Sequence, residues 1–465
     1  MSYESVLNTA HARATEFLSR LSDRPVNATA PFSELVATLG GPFPERGADP
    51  SSVIDALARA AAPGIVSTAG PRYFGFVTGG SYPVAVAADW LVSTWDQNGG
   101  LFVMSPAVSA LEQVTMRWVL DALSLPQSAS VGFVTGAHTA NITALAAARH
   151  EVLRRAGWDV EKDGLQGAPR VTVIAGAEAH SSIPAACRLV GFGSATIVHV
   201  ASDNQGRMRV DALDAALAST SGPRIVCAQS GNVNTGASDP FTEIAGRTRA
   251  HGAWLHVDGA FGLWAAASRN RRLQVAGVEA ADSWTTDAHK WLNVPYDSGI
   301  VIVAHPAAHR AAMSQRAAYL IPAVGEQRDG MDWTLEASRR ARVVPIYAVL
   351  RSLGREGLEA LVEHCCRIAA RMADQLRHAP GVTILNDVVL NQILVRFSNA
   401  RGGNITDAVI AAIQAGGECW CGGTAWQGQP AMRISVSSWK TTGADADRAV
   451  AAIVRAQEGM SRTSV

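Results

Sequence analysis

The sequence predicts an α/β protein with a mostly parallel, seven-stranded central sheet that helices cover on both faces. Three observations support this prediction. The 465 residues, 48% hydrophobic and 17% charged, suffice for one large core and one or two smaller units. Short Val/Ile-rich runs alternate with helical stretches through the middle of the chain, which is typical of parallel sheets. Polar residues follow several of these runs, at the strand ends where such sheets bind ligands.

The chain before the sheet is predicted to be helical. Residues 1–65 have a helical period with polar breaks at residues 23–27 and 40–50. Because this segment cannot bury its own apolar faces, we expect it to pack on the main body or on another subunit. Residues 82–125 are also predicted to be helical, with an interruption at Gly99-Gly100.

Seven apolar runs are predicted to form the strands of the central sheet. They are residues 131–134, 171–175, 196–200, 225–228, 254–257, 283–286 and 300–303. Helices are expected between them, including residues 139–156 and 241–251. The sequence has no internal repeat and no low-complexity segment.

The C-terminal part of the chain is predicted to form a smaller α+β unit. Residues 316–333 are expected to form a long mobile loop and residues 343–379 a helix. The last predicted elements are strands at residues 390–397 and 432–437 and a helix at residues 444–458. The predicted units are an N-terminal helical segment that packs on a partner subunit (1–80), a large domain (81–345) and a small domain (346–465).

Composition excludes several classes of partner. The chain has 40 basic and 40 acidic residues, so we expect neither a nucleic acid nor a membrane surface as its partner. The first 21 residues carry charges and no apolar centre, so we expect no signal peptide, and no apolar run is long enough to span a membrane. The six cysteines lack the spacing of a zinc site or a disulfide framework. We therefore expect reduced thiols, a cytoplasmic protein and no metal site.

Two predicted strands end at residues of opposite charge. Asp258 closes the run 254–257, and Lys290 follows the run 283–286 within Asp287-Ala288-His289-Lys290-Trp291. A buried ammonium group is costly unless it is paired or used chemically, and buried aspartates are rare unless paired. An amine that binds an aldehyde, with a carboxylate that keeps a ring nitrogen protonated, indicates pyridoxal phosphate chemistry. The alternatives are a turn-capping aspartate and a lysine that faces solvent at a helix start.

Two further segments are candidates for contacts with such a cofactor. Gly136-Ala137-His138-Thr139 follows a strand and begins a helix, where free N–H groups suit a phosphate. His180, in Ala179-His180-Ser181-Ser182, either stacks on the cofactor ring or caps the helix that begins beside it. His289 either assists Lys290 or only packs beside it.

Two other polar residues have both a structural and a functional interpretation. Asn232 and Asn234 lie in a glycine-containing loop, so a structural turn is the default and contact with the cofactor's phenolic oxygen is the alternative. Arg433 begins the last predicted strand and is either exposed or placed to bind a substrate carboxylate with its guanidinium fork.

With these motifs the chain resembles the group II pyridoxal-phosphate-dependent amino-acid decarboxylases, the family of aromatic amino-acid, histidine and glutamate decarboxylases. The resemblance covers residues 72–433. Its most specific motifs are Ala179-His180-Ser181-Ser182, His256-Val257-Asp258-Gly259-Ala260 and Asp287-Ala288-His289-Lys290-Trp291. It implies the aminotransferase-like fold type I and a homodimer whose active sites lie at the subunit interface.

The resemblance also implies roles for individual residues. Lys290 would bind pyridoxal 5′-phosphate covalently, Asp258 would hold its ring nitrogen, and His180 would stack on its ring. Tyr319 falls where decarboxylating members carry a loop tyrosine that returns a proton to the substrate carbon. The other implied cofactor contacts are Gly136, Ala137, His138, Asn232, Ala260, Asp287, His289 and, from the neighbouring subunit, Ser338. The implied substrate contacts are Phe76, Thr78, Phe102, Trp426 and Arg433.

The chain departs from the family pattern at several positions. His138 stands where relatives carry a hydroxyl group, and Asp287 stands where animal aromatic decarboxylases carry asparagine. Gly75 and Gly100 stand where those enzymes have bulky aromatic side chains. Trp420 and Trp426 are candidates to refill that space, and the alternative is that one of them lies in the core.

The predicted function is decarboxylation of an L-amino acid to its amine and CO2, with an aromatic substrate favoured. Tyr319 and His180 together favour plain decarboxylation. The alternatives are an aldehyde synthase, a carbon–carbon lyase or an aminotransferase on the same scaffold, and an interaction protein that has kept only the fold.

Overall fold

The seven predicted strands form one sheet in the computed structural model, which describes residues 2–315 and 317–463. The strands are β1 (Ser130–Val134), β2 (Thr172–Gly176), β3 (Ile197–Val200), β4 (Arg224–Gln229), β5 (Trp254–Asp258), β6 (Ser283–Asp287) and β7 (Gly299–Val303). Each begins and ends within one residue of its predicted run. Their order is β1-β7-β6-β5-β4-β2-β3, and only β7 runs antiparallel to its neighbours. The predicted mostly parallel sheet is confirmed.

Helices surround this sheet and continue into the C-terminal part. They are α1 (Tyr3–Arg20), α2 (Phe32–Leu39), α3 (Pro50–Ala61), α4 (Pro83–Trp95), α5 (Pro106–Ala122), α6 (Ala137–Arg155), α7 (Val160–Asp163), α8 (Ser182–Leu189), α9 (Val210–Ser219), α10 (Phe241–Ala250), α11 (Pro306–Met313), α12 (Val343–Arg377), α13 (Thr406–Gly416) and α14 (Gly443–Thr463). Helix α6 packs directly against β5, β6 and β7, which places its first turn beside the ends of those strands.

The sheet separates two apolar cores. Side chains alternate along each strand, so Val226 of β4 belongs to one core and Cys227 to the other. Strands β1, β5, β6 and β7 are buried at every position, which explains why β1 and β7 are rich in apolar residues and do not alternate with polar ones.

A second, antiparallel sheet lies in the C-terminal part. Its strands are β8 (Val382–Ile384), β9 (Gln392–Phe397), β10 (Gly422–Trp426) and β11 (Gln429–Ser435), in the order β10-β11-β9-β8. The sequence predicted only the second and fourth of these. Strand β8 is short and β10 begins with two glycines, so neither has a local strand pattern, and pairing with β9 and β11 holds them in place.

Two helical regions depart from the pattern of straight helices packed on the sheet. Helix α12 breaks at Gly354, whose φ of 60° lies in the left-handed region open to glycine. Helices α1, α2 and α3 contain no buried residue, so their apolar side chains are half-buried or exposed on this chain. No helix in the described ranges is long and apolar enough to cross a membrane.

The loop predicted from residue 316 begins at a residue outside the described ranges. The division of the chain into three units stays a prediction.

Candidate active site

The predicted site residues follow strands that run in the same direction. Gly136 follows β1, His180 follows β2, Asp258 ends β5 and Lys290 follows β6. The carboxyl ends of these strands share one edge of the sheet. The adjacent ends of β5 and β6 are joined by a 2.9 Å hydrogen bond from the Asp287 N–H to the Ala260 carbonyl.

Asp258 is buried, with 6% of its surface exposed, and three donors surround its carboxylate. Oδ2 accepts from Asn141 Nδ2 at 3.1 Å and from Ser182 Oγ at 3.2 Å, and Oδ1 accepts from the Ala260 N–H at 3.2 Å. A carboxylate offers about four acceptor sites, so one stays available for a further donor such as a ring N–H. This donor set fits the predicted partner of a pyridine nitrogen.

A buried polar chain supports Asp258 from behind. Asn141 Oδ1 accepts from Thr285 Oγ1 at 2.8 Å and lies 3.0 Å from His256 Nε2. An amide oxygen can only accept, so His256 carries its hydrogen on Nε2, and Nδ1 is left to accept from Ser283 Oγ at 2.9 Å. Burial lowers the pKa of His256 to about 4, so the ring is neutral at pH 7 although Asp258 is nearby.

Lys290 forms an ion pair with Asp287 rather than facing solvent freely. Its Nζ lies 2.9 Å from Asp287 Oδ2. Burial alone lowers the pKa of Lys290, but the charge and hydrogen bond of Asp287, with smaller contributions from Asp258 and Tyr296, outweigh it and the pKa is raised. The amine is therefore charged before any ligand arrives.

The first turn of α6 provides free donors at the same edge. The Ala137 N–H donates to Asp287 Oδ1 at 2.6 Å, so it is not free for a phosphate as the sequence predicted. The N–H groups of His138 and Thr139 form no hydrogen bond within the described ranges. Free N–H groups at a helix start suit a phosphate, so this turn fits the phosphate of pyridoxal phosphate through residues 138 and 139.

His180 is linked to Asp258 through one serine. His180 Nδ1 lies 2.8 Å from Ser182 Oγ, and Ser182 Oγ donates its one hydrogen to Asp258 Oδ2 at 3.2 Å, so Nδ1 carries the hydrogen of the first bond. The surrounding protein lowers the pKa of His180 by desolvation, with opposing effects from Asp258 and Lys290. The ring is thus neutral at pH 7 and lies one hydrogen-bonded residue away from Asp258, a position that agrees with a stacking role.

His289 and Tyr296 form an aromatic pair beside Lys290. Their ring centroids lie 4.3 Å apart with an angle of 29° between the planes. His289 Nδ1 accepts from the Ser298 N–H at 3.1 Å, and burial lowers the pKa of His289. Burial raises the pKa of Tyr296, and Thr78, one of the predicted substrate contacts, is among the groups that oppose this rise. Tyr296 was missed by sequence reasoning because nothing local marks it.

Asn232 and Arg433 have different surroundings. Asn232 Nδ2 donates to the Glu178 carbonyl at 3.1 Å, and its Oδ1 accepts from two N–H groups of its own loop. The turn interpretation of Asn232 is therefore the one its contacts support. Arg433 donates to the Val233 carbonyl at 3.2 Å, but its buried Nε has no partner among the described residues. A guanidinium with an unused buried N–H suits an anionic group of a substrate.

Three aromatic side chains, those of Tyr73, Phe76 and Trp420, form a wall beside Gly75, which has no side chain of its own. Trp420 stacks on Tyr73 with centroids 5.0 Å apart and contacts Phe76 at 5.3 Å. A Cβ on Gly75 would lie 2.2 Å from Trp420 Cζ3, so the indole occupies the space of a side chain there. Trp426, predicted as a substrate contact, is instead buried in a small apolar cluster. Trp426 therefore lies in the core, which was the alternative for one of the two tryptophans.

Three predicted residues lie apart from this group within one chain. Tyr319 is 83% exposed, Ser338 is exposed, and the Phe102 N–H donates to Asp329 Oδ1 at 2.8 Å. The roles of these residues, two of which were expected to act across subunits or from a loop, stay predictions.

Asn141 and Ser182 were also missed as parts of the site. A signal for Asn141 existed, because it is an uncharged polar residue in the alanine-rich start of α6, one turn after Ala137. Ser182 lies two residues after His180, within the motif that drew attention to the histidine. Both act by holding Asp258, which the sequence could not show because the contacts join distant segments.

Comparisons with known proteins agree with this geometry. Residues 34–398 match the pyridoxal-dependent decarboxylase conserved domain. The chain is 31% identical to L-2,4-diaminobutyrate decarboxylase of Rhizobium meliloti (strain 1021), over 72% of this chain and 67% of that protein. It is 27% identical to aromatic-L-amino-acid decarboxylase of Bacillus atrophaeus, over 82% of this chain and 79% of that protein.

The fold also matches a solved structure. A crystal structure of Oryza sativa TDC with PLP and tryptamine superposes with a TM-score of 0.92, at 23% identity and with 99% of each chain covered. This superposition confirms the predicted fold type I.

Proposed function

This chain belongs to the pyridoxal-dependent decarboxylases, as its motifs predicted, and we propose that it converts an L-amino acid to the corresponding amine and CO2. The cofactor of the family is pyridoxal phosphate. An aromatic amino acid is the substrate class that we favour.

One observation carries this proposal. A neutral histidine, a buried carboxylate and a charged lysine meet at one sheet edge, and Ser182 joins His180 to Asp258 by hydrogen bonds of 2.8 and 3.2 Å. The arrangement provides a group for each part of the cofactor: Asp258 for the ring nitrogen, His180 for the ring face and Lys290 for the aldehyde. These three groups support the cofactor, and the match to the decarboxylase family supports decarboxylation among the reactions that this cofactor allows.

Each of these protein groups has a separate role around the cofactor. When bound, pyridoxal phosphate accepts the electron pair left behind as CO2 departs. Asp258 keeps the ring nitrogen charged, and Asn141 and Ser182 keep Asp258 in place. Lys290 supplies the amine that anchors the aldehyde and later releases the product amine.

The substrate is held by charge at one end and by aromatic surface at the other. The unused Nε of Arg433 supports binding of a substrate carboxylate. The wall of Tyr73, Phe76 and Trp420 supports an aromatic side chain, because stacked and edge contacts between rings add about 0.5–1.5 kcal/mol to their burial.

Tyr319 is proposed as the donor of the last proton. After CO2 has left, its hydroxyl gives a proton to the carbon that carried the carboxylate. Its high exposure on this chain, 83%, supports a residue of a loop that closes over a site only when substrate is present.

The proposal is tested with purified protein loaded with pyridoxal phosphate. Incubation with a mixed pool of L-amino acids, followed by mass spectrometry of the amines and measurement of CO2, is expected to give equal amounts of both from an aromatic substrate. Lys290→Ala is expected to abolish turnover, and Asp258→Asn is expected to lower both cofactor affinity and rate.

Other outcomes identify other reactions. Formation of aldehyde, ammonia and peroxide would show an oxidative synthase, and it is the result expected of Tyr319→Phe if Tyr319 delivers the proton. Products that require a keto acid and release no CO2 would contradict the proposal and indicate amino transfer.

We also propose that the protein is a homodimer. Helices α1 to α3 bury none of their residues, and Phe32, Val36 and Leu57 on them are exposed, as are Trp90 and Trp95 of α4. Exposed large apolar side chains on several helices support association of two subunits. Light scattering during gel filtration is expected to give twice the 48.8 kDa mass of the chain, and a monomer at micromolar concentration would contradict it.

The cytoplasm is the location that we propose. All six cysteines are free and buried, which suits a reducing compartment. Fractionation of cells that express the protein tests this, and recovery in a membrane or secreted fraction would contradict it.

A further inference from the structure

Asp287 joins two elements of the site through one carboxylate. It ends β6 and is 2% exposed. Oδ1 accepts the Ala137 N–H of α6 at 2.6 Å, and Oδ2 lies 2.9 Å from Lys290 Nζ. His289 Nε2 is a third neighbour, 3.5 Å from Oδ1. Both oxygens are therefore occupied by groups of the protein itself.

We propose that Asp287 is a positioning residue that holds Lys290 as a charged ammonium group against the first turn of α6, and that it does not bind the cofactor phosphate. The inference rests on Lys290 being the lysine that binds the cofactor. It replaces the cofactor contact that the family resemblance implied for this position.

Charge excludes a direct contact between Asp287 and a phosphate. A phosphate ester carries about −1.5 to −2 charges at pH 7. A second anion on the same helix turn would repel it, and an ionised carboxylate has no hydrogen to donate. Asp287 already has a cation beside it, so its charge is balanced by Lys290 rather than by a ligand.

Asp287 is also the only carboxylate hydrogen-bonded to Lys290 within the described ranges. The other groups that affect the amine are Asp258 and Tyr296, which act through charge alone, and the neutral rings of His289 and His180. The protonation of Lys290 should therefore follow Asp287 more closely than any other neighbour.

This arrangement has a cost for cofactor loading. A lysine attacks an aldehyde only as the neutral amine, so Lys290 must first release a proton to solvent. Its nitrogen then bonds to the aldehyde carbon, and the aldehyde oxygen leaves as water. Asp287 slows the first of these steps while it fixes the amine in position for the rest.

Lysine labelling of the apoprotein tests the proposal without any turnover. The chain has three lysines, Lys162, Lys290 and Lys440, so each labelled peptide is identified by mass spectrometry. In Asp287→Asn the rate for Lys290 at neutral pH, relative to exposed Lys162, is expected to rise several-fold, because the carboxylate that keeps the amine charged is gone. An unchanged ratio would overturn the proposal.

A matched control variant and a measurement on the wild type make the labelling test conclusive. Asp282 lies just before β6, also accepts a main-chain N–H, and pairs with His305 instead of a lysine. Asp282→Asn is therefore expected to leave the Lys290 ratio unchanged. If Asp287→Asn does not fold, the wild type still decides: Lys290 should react with a higher pH midpoint than Lys162, and an equal or lower midpoint overturns the proposal.

Cofactor loading gives a second readout. Stopped-flow absorbance is expected to show that pyridoxal phosphate attaches faster to Asp287→Asn than to the wild type, whereas slower attachment or weaker binding would indicate a phosphate contact. Neither experiment uses an amino-acid substrate, so both stand even if the chain proves to catalyse a different reaction on its substrates.

Discussion

The side-chain amide of Asn141 donates a hydrogen bond of 3.1 Å to Asp258 Oδ2. Asn141 lies in α6, the helix whose first turn carries the free N–H groups of residues 138 and 139. One rigid helix therefore sets both the proposed phosphate position and the carboxylate that would hold the ring nitrogen. A small ring is bound in one fixed position only if the protein groups that contact its two ends do not move relative to each other.

Replacing Asn141 should damage both stability and cofactor binding. Asn141→Ala leaves His256 Nε2 and Thr285 Oγ1 without a buried acceptor and frees Asp258 on one side. Unsatisfied buried groups cost about 1–3 kcal/mol each, so we expect a loss of about 2–5 kcal/mol in unfolding free energy. Urea unfolding of the apoprotein measures this, and absorbance titration is expected to show weaker cofactor binding.

Ser182→Ala is the control for this prediction. It removes one of the three donors to Asp258 but leaves the chain from Asn141 to His256 intact. The loss of stability should be smaller than for Asn141→Ala, about 1 kcal/mol. Equal stability of the Asn141 variant and the wild type would show that the polar chain is not structural.

Trp420 is predicted to set the size of the substrate pocket. Because its indole fills the space beside Gly75, Trp420→Ala should raise KM for aromatic amino acids about tenfold while cofactor affinity stays the same. Steady-state kinetics over a series of amino acids checks this. Trp426 is the matched control because it lies in the core.

Trp426→Ala should instead lower stability by about 3–5 kcal/mol, the usual cost of a large cavity in a core. If substitution of Trp426 changed selectivity and substitution of Trp420 did not, the original assignment of Trp426 as a substrate contact would be correct.

Much of the fold could be predicted from the sequence, for a physical reason. Strand β7 is buried on both faces, so it appears as a short apolar run of valine and isoleucine whose limits are visible. Strand β10 could not be found, because Gly422 and Gly423 give no local preference and its pairing partner decides its conformation.

The site was predictable where chemistry requires a particular residue type. Asp258 and Lys290 stood out because charged residues rarely end apolar strands. The residues around them did not stand out: Asn141 acts through a contact with a segment far away in sequence, and nothing local marks Tyr296, which stacks on His289. The role of Asp287 depends on which atoms it touches, and only coordinates give that.

Glu112 is predicted to anchor the segment that carries Tyr319. It is buried between two arginines, with Arg328 Nε at 3.1 Å from Oε2 and Arg339 hydrogen-bonded to Oε1. Both arginines follow Tyr319 in the chain, so their ion pairs with Glu112 attach the C-terminal end of its segment to α5. Glu112→Gln would leave two buried cations unbalanced, which typically costs about 3–5 kcal/mol.

The measurement for Glu112 is unfolding combined with limited proteolysis. Cleavage within residues 317–328 is expected to become faster in Glu112→Gln. The exposed pair of Asp121 and Arg355 is the control, since its side chains are 61% and 66% exposed and Asp121→Asn should change stability by less than about 1 kcal/mol. Equal effects of the two substitutions would contradict an anchoring role.

Stability is predicted to fall in acid because of two buried histidines. Burial lowers the pKa of His256 to about 4 and that of His309 to about 3, below the ordinary value of 6.5. As pH falls below 6.5, the unfolded chain takes up these protons first, so the contribution is fully present above 6.5 and is lost towards pH 4 and pH 3. Since one pKa unit corresponds to about 1.4 kcal/mol, each ring accounts for roughly 3–5 kcal/mol at full loss.

A difference between variants isolates this effect from other groups. Burial raises the pKa of Asp239 to about 7, which has the opposite sign, because stability from its neutral form is lost as pH rises from 3.8 to 7. That contribution is the same in wild type and in His309→Gln, so it cancels in their difference. The variant's unfolding free energy should fall less steeply between pH 6.5 and 4 than that of the wild type. His251→Gln, at an exposed position, should follow the wild type, and parallel curves for all three proteins would refute the assignment.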